Sequence, residues 1–176
     1  GGAEAYRRAL DQYAGLGETQ TMDAAITLNN LAGLEQRRGD AAAARGLFEH
    51  SLQIRRKVVG NDAPQVWVVE ANLARLLIEQ GELQQALPLI AHARAGWAGQ
   101  VAPGQPRRLL AEAIWAQLQV ARGDLAAADN ALAAIKLHLQ GNDIRVQRRY
   151  LEVLAQRQRK AGEAAAAASS LQALVR

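Results

Sequence analysis

Apolar side chains recur along the chain at steps of three and four residues. Tyr6, Ala9, Leu10 and Tyr13 mark a first run, and Ile26, Leu28, Leu31 and Leu34 a second. Leu47, Phe48, Leu52 and Ile54 follow, then Val66, Val69, Leu73, Leu76 and Leu77. That period is the signature of a helix with one buried face. Long alternating runs of β-branched and aromatic residues, which would predict strands, are missing. Four punctuation marks separate the later runs: Gly39-Asp40, Gly81-Glu82, Gly123-Asp124 and Gly162-Glu163, at intervals of 42, 42 and 39 residues. Glycine suits the left-handed conformation that ends a helix, and an acid suits the positive start of the next. Five residues after each glycine stands an alanine (Ala44, Ala86, Ala128, Ala167), which predicts a close approach of two helix backbones. The chain is an array of helical repeats.

The period predicts helices over 3–14, 23–38, 41–59, 64–80, 83–98, 105–122, 125–140, 143–161 and 164–175. The expected organisation is a single array over 1–176. In it, 1–16 is the second helix of a truncated repeat, and four pairs follow over 23–59, 64–98, 105–140 and 143–176. Gly60-Asn61-Asp62-Ala63-Pro64 is turn chemistry followed by a proline suited to a first helical turn, and Gly141-Asn142-Asp143 repeats that connector. Residues 99–106 form the most irregular loop. One period after Tyr6, Ala9 and Leu10 come Phe48, Ser51 and Leu52, so the chain begins inside a repeat. It is expected to be a fragment of a longer protein. The last helix is poor in large apolar residues beyond Leu171, Leu174 and Val175, as suits a terminal helix.

Composition narrows the chemistry. Aromatics are only 4% against 49% hydrophobic residues, so the core must be built from Ala, Leu, Ile and Val. The net charge of +4 and pI near 10.0 would suit an anionic partner. Yet the basic clusters are scattered over Arg7-Arg8, Arg37-Arg38, Arg55 to Lys57, Arg107-Arg108, Arg148-Arg149 and Arg157 to Lys160. They read as solvated helix ends, which argues against nucleic acid as a partner. Cysteine is absent, which removes disulfides, thiolate metal sites and thiol nucleophiles. No stretch approaches the roughly 20 apolar residues a membrane helix needs.

Enzymatic constellations are missing: no phosphate loop after a strand, no paired metal-binding histidines on a helix, no nucleophile elbow. His50 and His92 lie one period apart, but no acid or cysteine stands in register, so they read as surface histidines and no metal is expected. The sequence points to a non-enzyme without cofactor or small-molecule substrate.

The run LNNLAGLEQRRGDAAAARGLFEHSLQIRRKVVGNDAP, from Leu28 to Pro64, resembles tetratricopeptide (TPR) repeats in the 42-residue form of kinesin light chain and many bacterial proteins. The family's usual length is about 34 residues, and the extra ones fall near Val59 to Val66. Ala63 departs from the histidine common in that connector. Trp115 stands where the first two repeats have Leu31 and Leu73, and Ile114 and Val153 stand at the asparagine position. Trp115 is therefore expected to pack in the core, while Trp67 is expected to be partly exposed.

The resemblance implies an all-α, right-handed TPR superhelix, an α-α solenoid of about nine antiparallel helices. It also implies a protein-interaction scaffold that binds a peptide or partner helix in its concave groove. Helical spacing and the resemblance place Asn29, Asn30, Gly33 and Arg37 on that groove from the first repeat. Val68, Asn72, Arg75 and Glu79 come from the second, Ile114 and Gln117 from the third, and Arg149 from the last. Asn30 and Asn72 are one period apart, and carboxamides can bond an extended peptide backbone without reading its side chains. Bonding to neighbouring helices is the competing role for those asparagines. Arg75 and Arg149 would add a preference for acidic segments. The alternative function is an intramolecular regulatory or self-associating (homo-oligomeric) domain of a larger signalling protein, a kinase or transcription regulator. The expected compartment is the cytoplasm.

Overall fold

The computed structural model describes residues 2–139 and 143–174. Gly141 and Asn142 of the second connector, and Val175 of the terminal helix, lie outside the described residues. The described residues form helices and no strand. The helices are α1 (Gly2–Gly15), α2 (Met22–Arg38), α3 (Ala41–Val59), α4 (Pro64–Glu79), α5 (Leu83–Gln100), α6 (Pro106–Arg122), α7 (Leu125–Lys136), α8 (Ile144–Lys160) and α9 (Ala164–Gln172). Most match the periodic runs within two residues. Helix α7 stops four residues short of its expected end, because Leu137 and His138 close a turn on Ala133 and Ile135 instead. That turn leaves Leu137 80% exposed.

Each Gly-acid pair closes a helix in the same way. Gly39, Gly81, Gly123 and Gly162 have φ of 87°, 81°, 84° and 80°. Each glycine N–H donates to the carbonyl three residues back, and the acid's N–H to the carbonyl five back, as in Gly39 to Gln36 (3.1 Å) and Asp40 to Glu35 (3.0 Å). These two hydrogen bonds satisfy carbonyls that the helix end would otherwise leave open. The acids then diverge. Asp40 and Asp124 accept from the backbone N–H of Ala43 and Ala127, both at 3.0 Å, and so cap α3 and α7. Glu82 and Glu163 are one methylene longer and make no such cap.

A pair of substitutions separates backbone strain from packing. A Cβ at Gly39 or at Gly46 would meet nothing within 4 Å. Gly39→Ala should nevertheless cost about 1–2 kcal/mol, the penalty of the left-handed conformation. Gly46→Ala, inside α3, should stabilise by about 0.5–1 kcal/mol by restricting the unfolded chain. Urea unfolding followed by circular dichroism reads both, and midpoints moving the same way would contradict this account.

The chain divides into two compact units, Gly1–Leu76 and Leu77–Arg176, with the division inside α4. In the first, Ala25, Leu28 and Ile54 form a buried cluster with Leu10, Met22 and Leu47 against it. There the buried Ser51 hydroxyl donates to the carbonyl of Ala25 at 2.6 Å, and Ala44 is fully buried. In the second, the core joins Leu109, Ala113, Ala116 and Val120 of α6 to Ala128, Ala131, Leu132 and Ile135 of α7. Val146, Tyr150 and Val153 of α8 complete it, at the steps of three and four that the sequence pattern requires. Burial raises the pKa of the Tyr150 phenol by disfavouring its anion.

One recurring contact was not visible from composition. Every step from a second helix to the next first helix is joined by an arginine–carboxylate pair. Arg7 reaches Glu35 (2.5 Å), Arg56 reaches Glu70 (2.8 Å), Arg94 reaches Glu112 (2.8 Å) and Arg157 reaches Asp129 (2.6 Å). Glu70 and Glu112 stand one 42-residue period apart. Both Asp129 and Glu163 hold the Arg157 guanidinium, which raises its pKa further.

Candidate functional site

A cavity of about 320 Å³ opens on the first unit, between residues that α1 to α4 bring together. Helix α2 supplies Asn29, Asn30, Gly33, Leu34 and Arg37, whose spacing keeps them on one helical face. Helix α4 adds Asn72 and Arg75, three residues apart, while Tyr6 of α1 and Phe48 of α3 complete the wall. The sequence placed six of these residues on a binding face. It missed Tyr6, Leu34 and Phe48, although Tyr6 and Phe48 already stood one period apart as the matching apolar positions of two second helices.

The polar groups form a relay. Asn72 Nδ2 donates to Asn29 Oδ1 at 3.1 Å, and Asn29 Nδ2 donates to Asn30 Oδ1 at 3.4 Å. The partner of Asn72 is thus Asn29 rather than Asn30, the residue one period away. The relay leaves a donor at one end and an acceptor at the other: Asn30 Nδ2 and Asn72 Oδ1 bond to no described residue. These are the two groups an extended backbone offers in reverse, a carbonyl and an N–H.

Charge in the cavity has one sign. Arg37 and Arg75 line it, and none of its lining residues is a carboxylate. Gln36 Oε1 accepts from Arg75 Nη2 at 2.6 Å, which fixes that guanidinium in place. Arg37 is exposed and makes no bond to a described residue. Gly33 leaves the wall open beside it, since a Cβ there would meet Arg37 Nη1 at 3.7 Å, an ordinary contact.

The remaining expected residues do not line this cavity. Val68 is half-buried in the first turns of α4, and Glu79 is exposed at its end. In the second unit Ile114 is buried, and Gln117 is 5% exposed with its carbonyl oxygen accepting from Arg149 Nη2. Burial there follows from the surrounding α6 face, where Ala113, Ala116 and Leu118 are also fully buried. Trp67 is buried at 3% exposure, against the expectation of partial exposure, because Val66 and Val69 beside it are core residues. Among the described residues no cluster of three or more histidines or acids could hold a metal ion. None of the described helices is long and apolar enough to cross a membrane.

Comparison with known proteins bears on the repeat. Residues 23–98 match a tetratricopeptide repeat family model. No curated protein matches the sequence. Among solved structures, BtubC (BKLC) from P. vanneervenii superposes with a TM-score of 0.73 at 17% identity, covering 97% of this chain and 72% of that one. A putative kinesin light chain from Podosopora anserina, with nearly identical TPR-like repeats, gives 0.72 at 19% identity, covering 98% and 83%. TPR arrays are in general modules of protein–protein interaction without catalytic activity of their own. Residues 23–98 are tetratricopeptide repeats, and the chain carries the same all-α repeat fold as these kinesin-light-chain-like TPR proteins.

Proposed function

We propose that the chain is a protein-interaction scaffold that captures an extended peptide segment of a partner on the face formed by α2 and α4. The observation that carries this reading is the carboxamide relay, with its free donor on Asn30 and free acceptor on Asn72 inside an open cavity. A peptide backbone laid along it would satisfy both ends at once. Arg37 and Arg75, with no carboxylate among the lining residues, favour an acidic side chain on that peptide through charge-assisted bonds.

The test starts from random peptides selected on the full chain by phage display. Binding of the recovered peptides is then measured by fluorescence anisotropy on wild type and on Asn30→Ala/Asn72→Ala. Each lost hydrogen bond is worth about 0.5–1.5 kcal/mol, so the double variant should bind about tenfold or more weakly while keeping its helical signal. Peptides that bind the folded double variant as tightly as wild type would refute the reading. Raising salt should weaken binding further, since the guanidiniums lie at an open, solvated surface.

A further inference from the structure

The second unit holds a groove of its own, of about 460 Å³, between α5 and α7 with α6 as its floor. On α6 it is lined by Arg108, Glu112 and Trp115, which the steps of four and three place on one face. Trp115 takes the position where the first two repeats have Leu31 and Leu73, both buried. The tryptophan is only partly buried, so the exchange of leucine for a larger ring has put aromatic surface into the groove. Arg94 of α5 lies over that ring at 5.0 Å and donates through Nε to both oxygens of Glu112 at 2.8 Å. Ring, guanidinium and carboxylate form a fixed platform whose charges cancel.

Opposite this platform α7 presents Ala127, Asn130, Ala131 and Ala134, none with a side chain longer than asparagine. At one end the groove runs into a second cavity of about 400 Å³ that shares Leu109, Leu137 and His138 with it. The exposed Leu137 sits at this junction. The charge left after Arg94 and Glu112 neutralise each other is positive. Among the described residues the Arg108 guanidinium donates to the carbonyls of Ala98 (3.3 Å) and Val101 (3.0 Å) alone, and the His138 imidazole bonds to none. Exposed Lys136 and Arg107 stand nearby in sequence.

From this we propose that the α5–α7 groove is a second docking site. Its occupant is a segment of a partner protein that carries a large apolar side chain flanked by Asp or Glu. The apolar side chain lies on Trp115 against Ala131 and Ala134. The flanking carboxylates meet Arg108 and His138, which have donors and no acidic partner of their own. Complementary charge selects the flanks, and the ring supplies the anchor.

The site is tested without the first cavity. Random peptides are selected by phage display on the full chain carrying Asn30→Ala/Asn72→Ala, and the recovered peptides are measured by anisotropy. They should share an aromatic or leucine residue flanked by acids, and should bind about tenfold more weakly to Arg108→Gln. Ala134→Trp, at an exposed position, should fill the groove and abolish binding while leaving the helical signal intact. The proposal fails if no peptide is enriched over an unrelated helical protein. It fails equally if enriched peptides bind folded Ala134→Trp undiminished, or if polyglutamate competes as well as the peptides do.

Discussion

Phe48→Ala should lower the stability of the chain by about 3–5 kcal/mol, the range for emptying a buried aromatic site. Phe48 is the single phenylalanine, is 1% exposed and stands on α3. In the sequence it holds a recurring apolar position of the second helices, the one occupied by Tyr6, Phe48, Ile90 and Leu132 at intervals of 42 residues. Phe48 is among the largest fully buried side chains, and a close-packed interior relaxes only in part around the space it would leave. The lost transfer energy and the cavity term therefore add. Phe48→Leu keeps most of the volume and should lose less than half as much. A urea titration read by circular dichroism should show a lower midpoint with the slope unchanged, because the surface exposed on unfolding is nearly the same. A midpoint within error of wild type would mean that α3 is not held through this residue. Because Phe48 also walls the first cavity, the leucine variant additionally reports whether peptide capture needs the aromatic face.

What could be read from sequence and what could not divides along physical lines. The Gly-acid turns were legible because they answer a local demand: a backbone at φ near 80–87° has few candidates other than glycine. Ala44, Ala86 and Ala128 were legible for a similar reason, since a fully buried contact between close backbones admits little else. The cavity was legible only along single helices. Asn29, Asn30, Gly33 and Arg37 follow from helical spacing, but the partner of Asn72 does not. Two neighbouring asparagines compete for it, and the packing of α2 and α4 decides in favour of Asn29. Trp115 could be assigned by register but not by environment. A larger ring at a leucine position can fill a core or spill out of it, and only the small side chains of α7 show that it borders a groove. The arginine–carboxylate junctions were hidden because the arginine position drifts. Glu70 and Glu112 keep the 42-residue interval while Arg56 and Arg94 do not, since a long side chain reaches its carboxylate from more than one backbone position.

The first of these junctions, where one buried carboxylate meets two cations, should show a large electrostatic effect. Glu35 has only 6% of its side chain exposed, while its partners Arg7 (2.5 Å) and Arg38 (3.7 Å) are 54% and 56% exposed. The arginines alone would count for little, as exposed ion pairs contribute about 0–1 kcal/mol. The weight lies with the carboxylate, which folding takes out of water. Arg7→Ala should therefore cost about 1–3 kcal/mol, the penalty of an under-satisfied buried polar group. Removing both cations, Arg7→Ala/Arg38→Ala, should cost about 3–5 kcal/mol, because the buried charge is then left without either. Adding Glu35→Met to that double variant removes the charge and keeps the volume, and at least half of the lost stability should return. Thermal unfolding of the four proteins side by side decides the matter. If the triple variant is no more stable than the double one, the loss came from the packing of the arginine stems on α1 and α2, and the buried carboxylate is not what the junction serves.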